Sequence, residues 1–155
     1  MYTLETSQVV NTTMGNAWDF ISSPRNLDKI TPENLSFSII SNVPDEMYNG
    51  LIIEYKIKIP LIGKQTWISE IKHIRPGVSF VDEQRQGPYK FWYHYHEIRK
   101  VENGVLLIDR INYELPFPPI GRAVHLLFVK NTLNKIFEFR KKKFDELLNG
   151  KSSSM

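Results

Sequence analysis

The chain of 155 residues contains no cysteine, which removes disulfides, thiolate metal sites and thiol nucleophiles from the chemistry open to it. It has no continuous apolar run of the ~20 residues that a membrane-spanning helix needs. Its opening, Met1 to Gln8, lacks the basic start and apolar stretch of a secretory signal, so a cytoplasmic location is expected. Glycine-rich phosphate loops, the GxGxxG fingerprint and any Ser-His-Asp or Cys-His pattern are missing, as are repeats and low-complexity segments. Nothing here calls for a cofactor. One further absence bears on the fold: no proline follows Pro119, and no glycine lies between Gly121 and Gly150.

That breaker-free stretch, Pro118 to Leu148, reads as a single helix about 45 Å long at ~1.5 Å per residue, with Pro119 in a first turn where no N–H is needed. Its halves differ. Ile120 to Val129 is apolar almost all round, broken only by Arg122 and His125, and such a segment is expected to be buried. From Lys130 onward Leu133, Ile136, Phe137, Phe144, Leu147 and Leu148 recur at helical spacing, while Lys135 and the run Arg140 to Lys143 supply a solvated side. Residues 1–149 are expected to form one domain, with 41% apolar residues ample for its core, and 150–155 a disordered polar tail. The net charge of +3 is concentrated in the Arg140 to Lys143 run. It is read as a solvated helix face rather than a nucleic-acid surface, because no nucleic-acid motif accompanies it.

Before the helix the chain changes period. Tyr2 to Thr12 suits an opening strand, Thr13 can cap a short helix carrying Ala17, Trp18, Phe20 and Ile21, and a second brief helix with Leu27 and Ile30 follows Pro24. From Leu35 to Leu115 the pattern alternates in steps of two, broken at Pro44 to Gly50, Pro60 to Gly63, Pro76-Gly77, Gly87-Pro88 and Asn103-Gly104, the last a strong hairpin signal. About six consecutive antiparallel strands result. A strand, two short helices, a meander and one long helix give an α+β chain in which a curved antiparallel sheet wraps the helix, the helix-grip arrangement.

The inner sheet face is too polar for a dry core. Trp92, His94, His96 and Ile98 share one side of their strand, and the apolar side of Val105 to Leu115 carries Asp109 among Leu107, Ile111 and Tyr113. A buried carboxylate needs a partner, and His94 or His96 on the neighbouring strand can supply it, since opposed residues have Cβ atoms about 5 Å apart. Ser69, Asp82 and Gln84 add polar groups to the same face. Together they point to a cavity lined by Trp67, Ser69, Phe80, Asp82, Gln84, Trp92, His94, His96, Asp109, Tyr113 and, from the helix, Phe128. The spacing His94-Tyr95-His96 with Asp109 also fits a metal-ligand set, but histidines two apart on a strand are separated by roughly 6.5 to 7 Å. Convergence on one ion needs particular rotamers, so no metal is expected. Asp109 should bond one histidine or an interior water, leaving the other histidine to face the cavity.

Asp82 to Tyr89, then Trp92, His94 and His96, then Asp109, Tyr113 and Pro116 resemble an uncharacterised branch of the START-like SRPBCC superfamily. So do Trp18-Asp19-Phe20, Pro24 to Leu27, Ile30-Thr31-Pro32, Trp67 and Ile136 to Arg140, nearly end to end. That superfamily includes polyketide cyclases and aromatases, lipid-transfer domains and birch-pollen-allergen-type carriers. The resemblance implies a helix-grip fold and a cavity for a small hydrophobic or amphipathic ligand, lipid-like, polyketide-like or quinone-like, in a monomer or weak homodimer. One alternative is a cofactor-independent cyclase or dehydratase using His94 or His96 with Asp109. Another is a protein-interaction module, which requires an exposed aromatic patch around Tyr93 and Tyr95.

Overall fold

The computed structural model describes residues 1–150. The chain runs β1 (Tyr2–Val10), α1 (Met14–Ile21), three single 3-10 turns (Pro24–Asn26, Asp28–Ile30, Glu33–Leu35), β2 (Ser38–Ile39), β3 (Leu51–Ile59), β4 (Gly63–Arg75), β5 (Ser79–Gln86), β6 (Phe91–Val101) and β7 (Gly104–Glu114). The C-terminal helix follows. Apart from Gly150, the expected disordered tail lies outside the described residues. Seven antiparallel strands form one sheet in the order β1-β7-β6-β5-β4-β3-β2. The meander from β2 to β7 is completed when β1 pairs with β7 along its whole length, Tyr2 opposite Tyr113 and Val10 opposite Val105. Two register shifts between β4 and β5, at Ile68/Ser69 and Lys72/Arg75, bend the sheet around the helix, with His73 in left-handed backbone at the second.

Local chemistry sets the boundaries. Thr13 caps α1, its hydroxyl accepting the Asn16 N–H at 3.1 Å. The expected second helix is instead three 3-10 turns, because Pro24 and Pro32 interrupt the segment and none of the turns has a side-chain cap. The strand expected from Leu35 is only Ser38–Ile39, since Leu35 closes a turn and Ser36 takes left-handed backbone. At the β6–β7 hairpin the turn is made by Glu102 and Asn103, while Gly104 (φ +135°) already pairs with Val101. A Cβ on Gly104 would lie 2.1 Å from the Val10 carbonyl oxygen, so the glycine is what lets the end of β1 lie close beside the hairpin.

The C-terminal helix is continuous over 31 residues, as α2 (Pro118–Val124), a π-helical turn (His125–Val129) and α3 (Lys130–Leu148). Helical dihedrals at Val124, His125, Val129 and Lys130 carry the backbone through without a break. The expectation that its first half is buried is wrong. Ile120, Leu126 and Leu127 are 67%, 75% and 68% exposed, and of α2 and the π turn only Gly121 and His125 are buried. The reason is a narrow line of contact. Gly121 sits so close to Pro116 that a Cβ would meet its carbonyl at 2.8 Å, and the inward positions then recur every fourth residue at Gly121, His125, Val129, Leu133 and Phe137. Four α-helical residues overshoot a full turn by about 40°, so that line would drift off the sheet; the wider π turn takes some of the rotation back. From Leu133 onward the expected stripe holds, with Leu133, Phe137, Phe144 and Leu148 buried.

Two apolar clusters flank the helix. One joins β3 to β7 with Leu133 and Phe137; the other joins Val10, Ala17, Ile98, Val105 and Leu107 with Phe144 and Leu148. The unequal burial of the helix has a measurable consequence. Amide exchange over 122–129 is expected to be at least ~10-fold faster than over 137–147; equal protection along the helix would contradict this packing. Gly104→Ala should lower stability by about 1–3 kcal/mol in denaturant unfolding, since the new Cβ meets backbone rather than a movable side chain.

Candidate functional site

Strand alternation and register gather the polar residues into one row. His96 lies directly opposite Asp109 and His94 opposite Ile111 across β6–β7. On the other side of β6, Asp82 is opposite His94 and Phe80 opposite His96. The row crosses the sheet between the two apolar clusters. Asp109 Oδ1 is 2.9 Å from His94 Nε2 and also 2.9 Å from His96 Nδ1. Both histidines therefore bond the carboxylate, where only one was expected to. The rings are tilted by 33° with centroids 3.7 Å apart, and Phe80 stacks on His96 at 4.3 Å, so each can turn an N–H to the same oxygen.

Asp109 is 9% exposed. Burial alone would raise its pKa, but the hydrogen bonds from His94 and His96 outweigh it and hold the carboxyl well below its usual range. His94 is pushed down to about 3, by burial first and then by the neighbouring His96. It is neutral at pH 7. Its Nε2 then carries the proton donated to Asp109.

A second polar group stands beside the first. Trp67 Nε1 donates to Ser69 Oγ at 3.1 Å, and the Tyr55 hydroxyl is 3.4 Å from the same oxygen. Asp82 has its pKa raised, burial outweighing the hydrogen bond from Ser69 and the positive influence of His96 and Arg140. Its Oδ1 has no hydrogen-bond partner among the described residues. Gln84 does not face the cavity: its amide grips the Tyr89 backbone at both N–H (3.2 Å) and carbonyl (2.7 Å). That clamp folds the β5–β6 turn inward and places the Tyr89 ring against Trp67 and Trp92. Tyr113 is spent on His125, its hydroxyl 2.9 Å from Nε2. Phe128 is 44% exposed and lies off the cavity walls, because it falls outside the narrow inward line of the helix.

Between sheet and helix lies a cavity of about 100 Å³ whose walls include Tyr55, Trp67, Tyr89, Trp92, Leu133 and Phe137, with Asp82, His94 and Arg140 at its polar end. A second void of about 30 Å³ lies on the far side of the row, touching Phe80, Asp82, His96, Asp109 and Arg140. Sequence reasoning missed Arg140. It was grouped with the solvated lysines, yet it falls at helical spacing between Phe137 and Phe144, in the inward stripe itself. Its guanidinium lies 5.0 Å from the Phe137 ring centroid, and its Nε is buried without a partner among the described residues. Outside the cavity, Tyr93 and Tyr95 are half-buried, with Tyr95 bonded to Glu97 at 3.0 Å. They do not form the exposed patch that an interaction module was expected to use.

His94, His96 and Asp109 offer donor atoms within 4.8 Å of one another, a set that a metal ion could use. An ion there would have to displace the two N–H protons now shared with Asp109, beside the fixed charge of Arg140 on the same void.

The buried histidine sets a pH dependence. Between pH 6.5 and about 3 the unfolded chain binds a proton on His94 that the folded chain does not, so stability is full above pH 6.5 and falls on acidification. The depressed Asp109 adds loss below its ordinary value of 3.8. Denaturant midpoints are expected to fall steadily from pH 7 to pH 4, and His94→Gln to flatten that slope by up to about 1.4 kcal/mol per pH unit. An unchanged slope in the variant would refute the assignment.

No protein-family model and no curated protein sequence matches the chain. Solved structures do. Protein CV1439 from Chromobacterium violaceum superposes with a TM-score of 0.72 at 11% identity, over 96% of this chain and 98% of that one. The di-domain ARO/CYC StfQ from the steffimycin biosynthetic pathway gives 0.71 at 15% identity, over 94% of this chain and 50% of that one. Major latex-like protein 151 from Panax ginseng gives 0.67 at 12% identity, over 94% and 95%. At such identities the likeness concerns the backbone alone, and what it establishes is that this chain has the helix-grip fold.

Proposed function

We propose that the chain binds a small hydrophobic or amphipathic molecule in the cavity between the sheet and α3. The observation that carries this reading is the division of the cavity's wall: aromatic and aliphatic side chains over most of it, and Asp82, His94 and Arg140 gathered at one end. At about 100 Å³ the space is smaller than an apolar cavity of about 150 Å³ that takes up benzene, so it suits a short chain, or a single ring once side chains of the wall give slightly. A lipid or fused-ring ligand requires outward movement of the wall. Leu27, Thr31 and Leu35, on irregular turns, form the part of it least tied by backbone pairing. Native mass spectrometry against an apolar library, with tryptophan fluorescence reporting on Trp67 and Trp92, is expected to show a 1:1 complex and a changed emission. Failure of every compound in both measurements sinks the reading.

A second reading, cofactor-independent cyclisation or dehydration of the bound molecule, draws support from the His94–Asp109–His96 cluster. Here His96 is the proton-transfer group: it is oriented by Asp109 and stacked on Phe80, and it borders the smaller void, which a bound molecule reaches by extending past Asp82 and Arg140, which line both spaces. His94, neutral and more deeply buried, holds Asp109 in place. On this reading His96→Gln lowers turnover by ~10²-fold or more with ligand affinity nearly unchanged. A carrier shows a change in affinity only.

A further inference from the structure

We propose that the ligand is a carboxylic acid, held with its carboxylate on Arg140 and its ring or chain among Trp67, Tyr89 and Trp92. This rests on the cavity reading above and adds the chemical class of the ligand.

The argument starts from an unusual placement. Arg140 occupies the inward stripe of α3 between two buried phenylalanines, a position that packing alone would fill with an apolar side chain. A guanidinium keeps its charge at any working pH, and burying it demands an anion or several acceptors. Asp82, Tyr55 and His94 feel the charge of Arg140, but none of them bonds it. Arg140 forms no ion pair or hydrogen bond with the described residues, its Nε is buried and unpartnered, and the nearest ring contact is the face of Phe137. Neutralisation of Asp82 or Asp109 does not account for it. Asp109 already takes two histidine N–H groups on one oxygen, and Asp82 leaves its own Oδ1 unpartnered while lining the same cavity as Arg140. All three voids in this region, of about 100, 30 and 10 Å³, have Arg140 in their walls. The guanidinium is thus the cationic group facing the space, with donors free in a fork that matches a carboxylate.

Asp82 sharpens the choice of acid over neutral polar ligands. Its Oδ1 lies unpartnered on the cavity wall and burial raises its pKa, so the two carboxyl groups can share one proton while Arg140 takes the charge. A neutral alcohol can bond either group or both, but it leaves the guanidinium charge uncompensated. The aromatic part of the wall, with Trp67 and Trp92 edge-on at 5.2 Å and Tyr89 against both, favours a flat ring next to the acid.

The test compares phenylacetate with 2-phenylethanol, equal in framework and differing in charge, by calorimetric titration of the full chain at pH 7. Phenylacetate is expected to bind about 10- to 100-fold more tightly. Arg140→Gln should abolish that preference, and Arg140→Lys should keep part of it, each variant being checked for a native unfolding transition. If Arg140→Gln does not fold, Arg140→Lys and the wild-type ratio still decide: full acid preference in the lysine variant would speak against the bidentate fork. Equal binding of acid and alcohol to the wild type overturns the proposal and leaves the cavity reading standing. Binding of neither overturns it too, and the apolar library then tells whether the cavity reading falls with it.

Discussion

A carboxylate inside a sheet is the constraint on which the rest of this molecule turns. Asp109 sits on β7 where its neighbours in the same face, Leu107 and Ile111, are apolar and buried. An uncompensated charge there costs several kcal/mol. The register of β6 against β7 supplies the answer by placing His96 directly across and His94 on the diagonal, and the close, tilted approach of their rings lets both serve one oxygen. The same register then fixes Trp92 against Tyr113 and Ile98 against Leu107, which divides the interior into two apolar clusters with a polar row between them. A one-residue slip of β6 would turn the whole set outward. The fold and the site are thus specified by the same pairing.

The polar row also explains why the interior is not filled solid. Apolar side chains pack to the density of organic crystals, and the cavity appears where that packing meets groups that need partners. Asp82, left with one free oxygen, marks its boundary, while Ser69, expected on the wall, lies behind it and is shared by the wall residues Trp67 and Tyr55. Helix α3 completes the enclosure with Leu133 and Phe137 on the apolar side and Arg140 at the polar end.

Much of this was legible in the residues. Period-two alternation located the strands, the breaker-free stretch located the helix, and the same-face rule put His94, His96, Asp82 and Asp109 together. What was not legible has physical causes. The extent of β2 depended on the left-handed turn at Ser36, which no alternation pattern reports. Gln84 shares the inner face but bonds the Tyr89 backbone, a local clamp that takes a residue away from the cavity without changing its strand position. Apolar composition around Phe128 implied burial, yet burial follows the surface available to a helix, and here Gly121, His125 and, in part, Val129 meet it. Arg140 was hidden by its neighbours: Lys141, Lys142 and Lys143 make the run look solvated as a block, although a helix assigns each position separately.

The two ends of the long helix are held by different means, and this decides which part of the enclosure can yield. The C-terminal end is tied to β1 and the loop after it. Gln8 bonds the Lys141 carbonyl and Asp145 at 2.8 and 2.7 Å, Asn149 accepts from the Asn11 N–H at 2.6 Å, and Phe144 and Leu148 are buried in the second cluster. Those bonds fix the height and rotation of α3, and with them the place of Arg140. The N-terminal end rests on His125, bonded to Tyr113 and stacked on Tyr2 at 3.5 Å, with an exposed apolar surface on its other sides. A helix anchored firmly at one end and by one side chain at the other moves by swinging its weaker end. The cavity's apolar end, bounded by Leu133, Ile136 and the tip of β3, lies nearer that end, so the fold can admit a larger apolar body while the polar row keeps its geometry.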